Sequence, residues 1–221
     1  MKKEFSARPA MITEPWCTWQ GFLTAMPSMV FVVTGWKPNG RENACLQSWA
    51  AFVGGGKDEF VCILGAVNKG GHMYKSLKET GVCVLNFPSL DIYGRCVKTI
   101  GNNDYDTDEI TAAGLTAERA VAVDAPRIKE CFLNIECEYM WERELFDNAG
   151  IYGNVDASIA LKAVHISMDS DRYDQRKLGR YGKTGYLFQI DNPTDPETGE
   201  RTPDIGAGTI ELSAPVPWVT K

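Results

Sequence analysis

The chain has 221 residues, of which 44% are hydrophobic and 24% charged, so it can form a globular core, and disorder, collagen and coiled coil are excluded. Its 29 acidic and 23 basic side chains give a net charge of −6, which disfavours nucleic acid as a partner. No run approaches the roughly 20 consecutive apolar residues of a membrane span, and Glu4 and Arg8 interrupt the apolar segment that a signal peptide needs. We therefore expect a cytoplasmic protein without a membrane partner.

The first half of the chain consists of short apolar runs separated by Gly, Pro, Asn and Asp, which predicts strands joined by turns. Residues 29–34 and 44–53 are strand candidates on either side of a Pro-Asn-Gly turn that ends at Gly40, so they predict a hairpin. Residues 60–67 and 82–87 are two further strands. The segment 71–80 between them lacks breakers and ends at Gly81, which predicts a helix.

The second half begins with short helices and returns to strands. We predict a helix over residues 89–101 with Ser89 as its N-cap, and a short third helix that ends near Gly114. Residues 131–141 alternate apolar and polar side chains, so we expect the even-numbered carboxylates Glu136 and Glu138 to face solvent. Residues 151–168 contain two more such runs, and residues 186–190 and 206–212 are the last strand candidates.

Roughly eight strands with few helices, and no regular alternation of the two, favour a closed or nearly closed antiparallel barrel decorated with short helices. We expect one domain over residues 1–221, with an N-terminal extension over 1–26. The segment 191–204 is polar and rich in turn residues, and we interpret it as a surface loop inserted between two strands.

Several kinds of site are disfavoured by the motifs that the sequence lacks. The stretch Gly54-Gly-Gly-Lys57 has neither the upstream Gly nor the following Ser or Thr of a phosphate-binding loop, and no Gly-x-Ser-x-Gly nucleophile motif occurs. The seven cysteines are scattered through apolar runs without zinc-like spacing, which is typical of packed, reduced thiols. Of the two histidines, His165 lies within a strand and is interpreted as structural.

A cluster of cationic side chains stands at the start of the predicted helix. Lys69, His72 and Lys75 follow one another at spacings that surround a helix N-terminus, where free backbone N–H groups favour anions. Gly70 and Gly71 permit close approach of the backbone to such an anion. The alternative is that both lysines are solvated surface charges and the glycines form an ordinary turn.

Three segments follow one another in the sequence: Asn43-x-x-x-x-Ser48-Trp49, then Lys69-x-x-His72 at a helix start, then a strand that ends in Asn86. Their order resembles the flavin reductase-like, FMN-binding split-barrel family, which includes the flavoredoxins. The segments 125–137, 151–156 and 180–186 are similar to later elements of the family in the same order. The sequence departs from the family pattern at Leu46, Met73 and Cys96.

The resemblance implies a mostly β fold with short helices, a split antiparallel barrel of Greek-key type, and a homodimer with flavin near the subunit interface. It implies noncovalent FMN and hydride transfer from NADH or NADPH, which needs stacked rings and no dedicated acid or base. We expect no metal and no catalytic side chain. The cofactor-binding residues that it implies are Asn43, Cys45, Leu46, Gln47, Ser48, Trp49, Lys69, His72, Tyr74 and Lys75.

On the implied flavin-lining strand, Cys45, Gln47 and Trp49 share one face, and Leu46 and Ser48 share the other. Either face offers polar and apolar groups to a flat ring, although Trp49 could instead belong to the core. Two other functions remain open. One is an electron carrier or flavin-binding module without nicotinamide-dependent activity, and the other is a barrel that has lost its cofactor.

Overall fold

The computed structural model describes residues 2, 4–7, 10, 26–56, 58–101, 104–145, 156–173, 179–190, 198, 200 and 206–211. These residues form a mostly antiparallel β fold with a few short helices. The strands are β1 Ser28–Met29, β2 Phe31–Trp36, β3 Glu42–Gln47, β4 Ala50–Gly54, β5 Phe60–Asn68, β6 Val82–Phe87, β7 Ala117–Arg119, β8 Pro126–Ile128, β9 Leu133–Glu144, β10 Asp156–Met168, β11 Leu187–Ile190 and β12 Gly206–Thr209. The helices are α1 His72–Thr80, α2 Leu90–Val97 and α3 Glu109–Ala112, and a 3₁₀ turn, Lys98–Ile100, follows α2.

Seven strands form the main sheet in the order β3-β2-β6-β9-β10-β5-β4, and a smaller sheet has the order β1-β11-β12. The main sheet curls back on itself, because the Phe31 ring on β2 and the Phe52 ring on β4 lie 5.7 Å apart although four strands separate them in the sheet. Its two edge strands, β3 and β4, are consecutive in the chain. The result is a split antiparallel barrel, as the sequence predicts.

The prediction of one continuous strand over residues 44–53 is wrong at its centre. β3 pairs with β2 and β4 pairs with β5, so the chain leaves one edge of the sheet and joins the other at Ser48 and Trp49. The Ser48 hydroxyl donates a hydrogen bond to the Gln189 side chain on β11, which pulls this link out of the ladder. A composition typical of strands cannot reveal such a change of edge, because both halves remain extended.

The barrel interior is filled by alternate side chains of the long strands and by aromatic rings. On β9, Leu133, Ile135 and Cys137 are buried in the core, as the period-two pattern predicts. Phe87 packs against Phe31 with ring centroids 5.5 Å apart. Each such aromatic or aliphatic side chain contributes roughly 1.5–3 kcal/mol by leaving water, so this interior is the main source of stability.

The predicted helices are confirmed, with small changes at their ends. The first begins at His72 and ends at Thr80, after which Gly81 adopts a φ of 69° and donates its N–H to the Leu77 carbonyl at 2.9 Å. A left-handed residue at this place is a common helix terminator that glycine adopts without strain. Ser89 occupies the N-cap position of α2, but its hydroxyl donates to the Asp91 carboxylate and accepts no hydrogen bond from the helix backbone.

The prediction that Glu136 faces solvent is wrong, whereas Glu138 is exposed as expected. Glu136 is fully buried, and its two carboxylate oxygens accept the backbone N–H groups of residues 121, 122 and 123 at 2.8, 2.6 and 3.1 Å. The segment 117–128, which contains β7 and β8 and is called the excursion below, covers this part of the outer face. A carboxylate can be buried there because backbone donors replace its water.

Two buried asparagines fix the neighbouring strand β8 to the barrel. The Asn86 carbonyl accepts the Ile128 N–H and the Asn134 amide, both at 2.8 Å, and the Asn134 amide also donates to the Ile128 carbonyl. The Thr34 hydroxyl donates to the Pro126 carbonyl at 2.5 Å. Asn86 therefore holds the segment that contains β7 and β8 against the barrel.

Some predictions fall partly outside the described residues. Of the two runs expected in residues 151–168, the structure describes one strand, β10, while 151–155 are outside the description. The same holds for most of the extension 1–26 and of the loop 191–204, so the division of the chain into one domain with these additions stays a prediction. The six cysteines in the described part are free thiols, and burial raises the pKa of Cys62 to about 12.

Candidate functional site

The start of α1 is a helix terminus that the described side chains do not cap. Gly71 precedes it in an extended conformation, and its first turn contains no acidic residue. The Gly70 N–H donates to the Asn68 side-chain oxygen at 2.7 Å and the Gly71 N–H to the Asn68 carbonyl at 3.0 Å, so these two amides serve the turn. The donors left for an anion are therefore the first N–H groups of the helix itself, at residues 72–74.

Lys69 lies beside this terminus and faces two carboxylates of β9. Its Nζ is 2.6 Å from Glu144 Oε1 and 3.5 Å from Glu142 Oε1, and the hydrogen bond with Glu144 raises the pKa of Lys69. The Tyr74 hydroxyl donates to Glu142 Oε1 at 3.0 Å, so Lys69 and Tyr74 share one acceptor. An anion would have to compete with Glu144 for the ammonium group.

Glu142 is the centre of this contact between α1 and β9. It also accepts the Tyr139 hydroxyl at 3.2 Å and lies 3.3 Å from Lys78 Nζ. Burial by itself would raise the pKa of Glu142, but the hydrogen bonds from Tyr74 and Lys78 outweigh burial and hold it below its ordinary value. Glu142 therefore remains ionised and fixes Tyr74 in place.

His72, the first residue of α1, is held between a carboxylate and an aromatic ring. Its Nδ1 lies 3.5 Å from Glu109 Oε1, and the Tyr105 ring meets the imidazole edge to face with centroids 5.5 Å apart. About a quarter of the His72 side chain is exposed, whereas Glu109 is buried. The sequence shows an acidic stretch at residues 102–109, but nothing in it indicates that Glu109 reaches this helix.

Lys75 is the least constrained of the three cations. It lies on the first turn of α1, is exposed, and its side chain has no ion pair or hydrogen bond with the residues that the structure describes. The predicted cluster is thus brought together on one helix start, but its members differ. Two of the cations already face carboxylates, and one remains available to a ligand.

Residues 43–47 alternate on β3 as the sequence predicts. Cys45 packs against the barrel core and Leu46 against the second cluster of buried residues on the other side. The Gln47 amide donates to Cys45 Sγ at 3.2 Å, and burial raises the pKa of the Cys45 thiol. The Leu46 N–H donates to the Thr99 hydroxyl at 3.0 Å, a contact that the sequence did not reveal.

Trp49 is not a core residue, because 49% of its surface is exposed. Its carbonyl accepts the Gly65 N–H at 2.7 Å, so the link between β3 and β4 rests on β5 just before α1. The next residue, Ala66, has a φ of 39°, and the β5–β10 pairing shifts register here. A non-glycine residue in the left-handed region is uncommon and is found preferentially at functional sites.

Hydrogen bonds connect the strand and helix parts of the candidate site. The buried Asn43 amide donates to the Ser76 hydroxyl on α1 at 3.1 Å, which joins β3 to the helix, and the Trp49 carbonyl joins the β3–β4 link to β5. The connected elements offer backbone N–H groups, cationic side chains and an exposed indole. These donors fit a ligand that carries both a phosphate and a flat aromatic ring.

Comparison with known families gives one extended match. The sequence model of the family described as "Flavin reductase like domain" matches residues 23–177, which include every residue of the candidate site. Among curated relatives, an uncharacterized protein from Methanothermobacter thermautotrophicus is 28% identical over 103 residues, which are 45% of this chain and 45% of that protein. The aligned region thus spans about half the length of the curated relatives.

Solved structures with the same fold cover nearly the whole chain. Nitrilotriacetate monooxygenase component B from Bacillus cereus has a TM-score of 0.74 and 15% identity, and the match covers 98% of this chain and 100% of that one. FMN-binding protein from Thermus thermophilus has a TM-score of 0.68, 13% identity and coverage of 97% and 100%. Flavoredoxin of Desulfovibrio vulgaris (Miyazaki F) has a TM-score of 0.59, 18% identity and coverage of 97% for both chains. At these identities the likeness shows a common fold.

Proposed function

The chain belongs to the flavin reductase-like domain family, and from this premise we propose that it binds FMN noncovalently and transfers electrons from NADH or NADPH through the flavin. Family membership supports a flavin-binding oxidoreductase in general. The choice of FMN is supported by the fold shared with the FMN-binding protein of Thermus thermophilus. The observation that carries the proposal is the uncapped start of α1, surrounded by Lys69, His72 and Lys75.

The phosphate of FMN would occupy the start of α1. Free N–H groups of the first turn favour a dianion there, and Lys75 is exposed and available for a charge-assisted contact. His72 would contribute a hydrogen bond, and a positive charge when protonated. Lys69 would contribute after exchanging its contact with Glu144 for one with the phosphate, while Tyr74 stays fixed on Glu142.

The flavin ring would lie along the β3–β4 link. Bound FMN supplies the hydride-accepting ring, and the protein has to orient that ring and limit its contact with water. Trp49 offers an exposed aromatic surface, while Gln47 and Ser48 would serve the ring edge after exchanging their hydrogen bonds with Cys45 and Gln189. Asn43, Cys45 and Leu46 would hold β3 in position, since Asn43 is buried and Cys45 and Leu46 pack on its two opposite sides.

A second copy of the chain would complete the site. Trp49 is half-exposed, and a flavin resting on it would itself remain open to solvent unless another surface covered it. Val53 on β4, Trp141 on β9 and Val164 on β10 are exposed hydrophobic residues of the same sheet. We therefore propose a homodimer, and its test is the mass in solution. In the part of the chain that the structure describes, no helix is long and apolar enough to cross a membrane.

Two measurements on the purified protein test the function. The absorbance spectrum, recorded before and after denaturation and again after addition of FMN, shows whether flavin is bound and whether attachment is noncovalent. Oxidation of NADH and of NADPH at steady state, with free flavin or a dye as acceptor, then measures the proposed activity. Reduction of bound FMN only by a protein donor would indicate the electron carrier, and failure to bind any flavin would indicate a barrel without its cofactor.

A further inference from the structure

The Glu109 carboxylate joins two parts of the candidate site through one buried side chain. Its Oε2 accepts the Ala44 N–H at 2.7 Å, and Ala44 lies on β3 among the proposed flavin-lining residues. Its Oε1 lies 2.9 Å from Lys37 Nζ and 3.5 Å from His72 Nδ1. Only 4% of Glu109 is exposed, so solvent does not substitute for these partners. Glu109 thus connects the strand that would hold the ring with the residue that would hold the phosphate.

The contact with Ala44 belongs to a series along the free edge of β3. The N–H groups of Glu42, Ala44 and Leu46, which point away from β2, donate to side-chain oxygens of Asp108, Glu109 and Thr99 at 3.0, 2.7 and 3.0 Å. These side chains occupy the place of a neighbouring strand and fix the edge of the sheet. Glu109 is the member of the series that also reaches α1.

Lys37 determines the charge that His72 meets. It is almost completely buried, and its ammonium group also donates to the Thr107 carbonyl at 2.8 Å. The Lys37–Glu109 pair is neutral as a whole, so Glu109 can orient the imidazole while the positive charge of a protonated His72 is not simply cancelled. The groups facing His72 in the described part are Glu109, Lys37 behind it, and the Tyr105 ring.

We propose that Glu109 is a positioning residue of the FMN site, and this inference rests on the proposed function. Its contact with Nδ1 directs that nitrogen inward and leaves Nε2 of His72 as the nitrogen that contacts the phosphate. Nδ1 lies 3.5 Å from the carboxylate, so Nε2 is the nitrogen that remains to form a hydrogen bond with a phosphate. The same carboxylate accepts the Ala44 N–H, so it fixes the position of the His72 imidazole relative to β3.

The wild-type protein provides the first test, because the chain has only two histidines. We would label histidine with ¹⁵N, record imidazole spectra at constant pH, and assign His165 by its loss in His165→Gln. The free protein should show His72 with its proton on Nδ1, and saturation with FMN should shift the Nε2 resonance of His72, whereas riboflavin, which lacks the phosphate, should not. A neutral His72 protonated on Nε2, or equal spectra with both ligands, would overturn the proposal.

Affinity measurements provide the second test. Lys37→Met combined with Glu109→Gln removes one positive and one negative charge, and glutamine keeps an oxygen for the Ala44 N–H. We expect this pair of substitutions to weaken FMN binding about tenfold and to change riboflavin binding by less than about twofold. His72→Gln should produce the same pattern, and adding it to the pair should cause little further loss, because both act through the same contact.

The outcomes also separate this inference from the proposed function. If the wild-type protein binds neither FMN nor riboflavin, the proposed function fails. If it binds FMN, but the Lys37/Glu109 variant loses affinity for riboflavin equally, Glu109 has only a structural role and this inference fails. The inference also fails if adding His72→Gln to the pair lowers FMN affinity by the full factor that His72→Gln causes alone, because the two changes would then act independently.

Discussion

Two regions of the molecule present adjacent backbone N–H groups to an anion, and they differ in where the anion comes from. On the outer face of the barrel, the N–H groups of residues 121–123 donate hydrogen bonds to a carboxylate of the chain itself, Glu136, which is fully buried. At the start of α1, no described side chain caps the helix and the first turn has no acidic residue. The first region is closed by the fold, and the second is open to a ligand.

The difference shows how the same donors serve stability in one place and recognition in the other. A carboxylate of the chain itself accepts these hydrogen bonds without the entropy cost of immobilising an external ligand. It therefore stabilises the excursion whether or not a ligand is present. An uncapped helix start leaves that stabilisation to a bound anion. Lys69 and His72 already face Glu144 and Glu109, so at the open site the chain controls which cations a ligand can use.

The closed region should show the largest effect on folding. Glu136→Ala removes the acceptor of three backbone N–H groups and should lower the free energy of unfolding by about 2–4 kcal/mol. Glu138→Ala, two residues along the same strand but exposed, is the matched control and should change it by less than about 0.5 kcal/mol. Urea denaturation measures both, and equal losses would show that Glu136 is not a special anchor.

The open region should show its largest effect on binding. Replacing His72 by Gln and Lys75 by Ala together removes two phosphate contacts and should weaken FMN binding by about tenfold or more at moderate salt. The affinity for riboflavin should hardly change. Lys162 is an exposed lysine on β10, and Lys162→Ala controls for the loss of one charge. Unchanged FMN affinity in the double variant would show that the phosphate does not bind at the start of α1.

The C-terminal end of α1 offers a stability test with an effect of intermediate size. Gly81 has a φ of 69°, so Gly81→Ala places a side chain in a strained backbone conformation and should cost about 1 kcal/mol. Gly94 lies inside α2 with open space where a Cβ would stand, so Gly94→Ala should stabilise the protein by about 0.5–1 kcal/mol. Changes of the same sign in thermal unfolding would contradict this account of the helix ends.

The competition for Lys69 should give the smallest effect. Glu144→Gln removes the carboxylate that lies 2.6 Å from Lys69 Nζ, so the ammonium group becomes available and FMN affinity should rise about threefold. Glu138→Gln makes the same change of charge elsewhere on β9 and should leave the affinity nearly unaltered. Titration of the two variants side by side decides whether Lys69 takes part in phosphate binding.

What the sequence determined by itself is local. Turn residues and alternating side chains predicted the hairpin of β2 and β3, the buried face of β9 and the helix that ends before Gly81, because dihedral preferences and side-chain periodicity act over a few residues. The cluster of Lys69, His72 and Lys75 also follows from spacing along one helix start.

Only the tertiary structure decided which segments meet. It divided residues 44–53 between two edges of the sheet, buried Glu136 under the excursion, and placed Glu109 against His72. Each depends on a part of the chain distant in sequence that covers the surface or supplies the partner. The burial and pairing of a charged side chain depend on contacts between segments that are distant in sequence. No pattern within its own strand or helix encodes them.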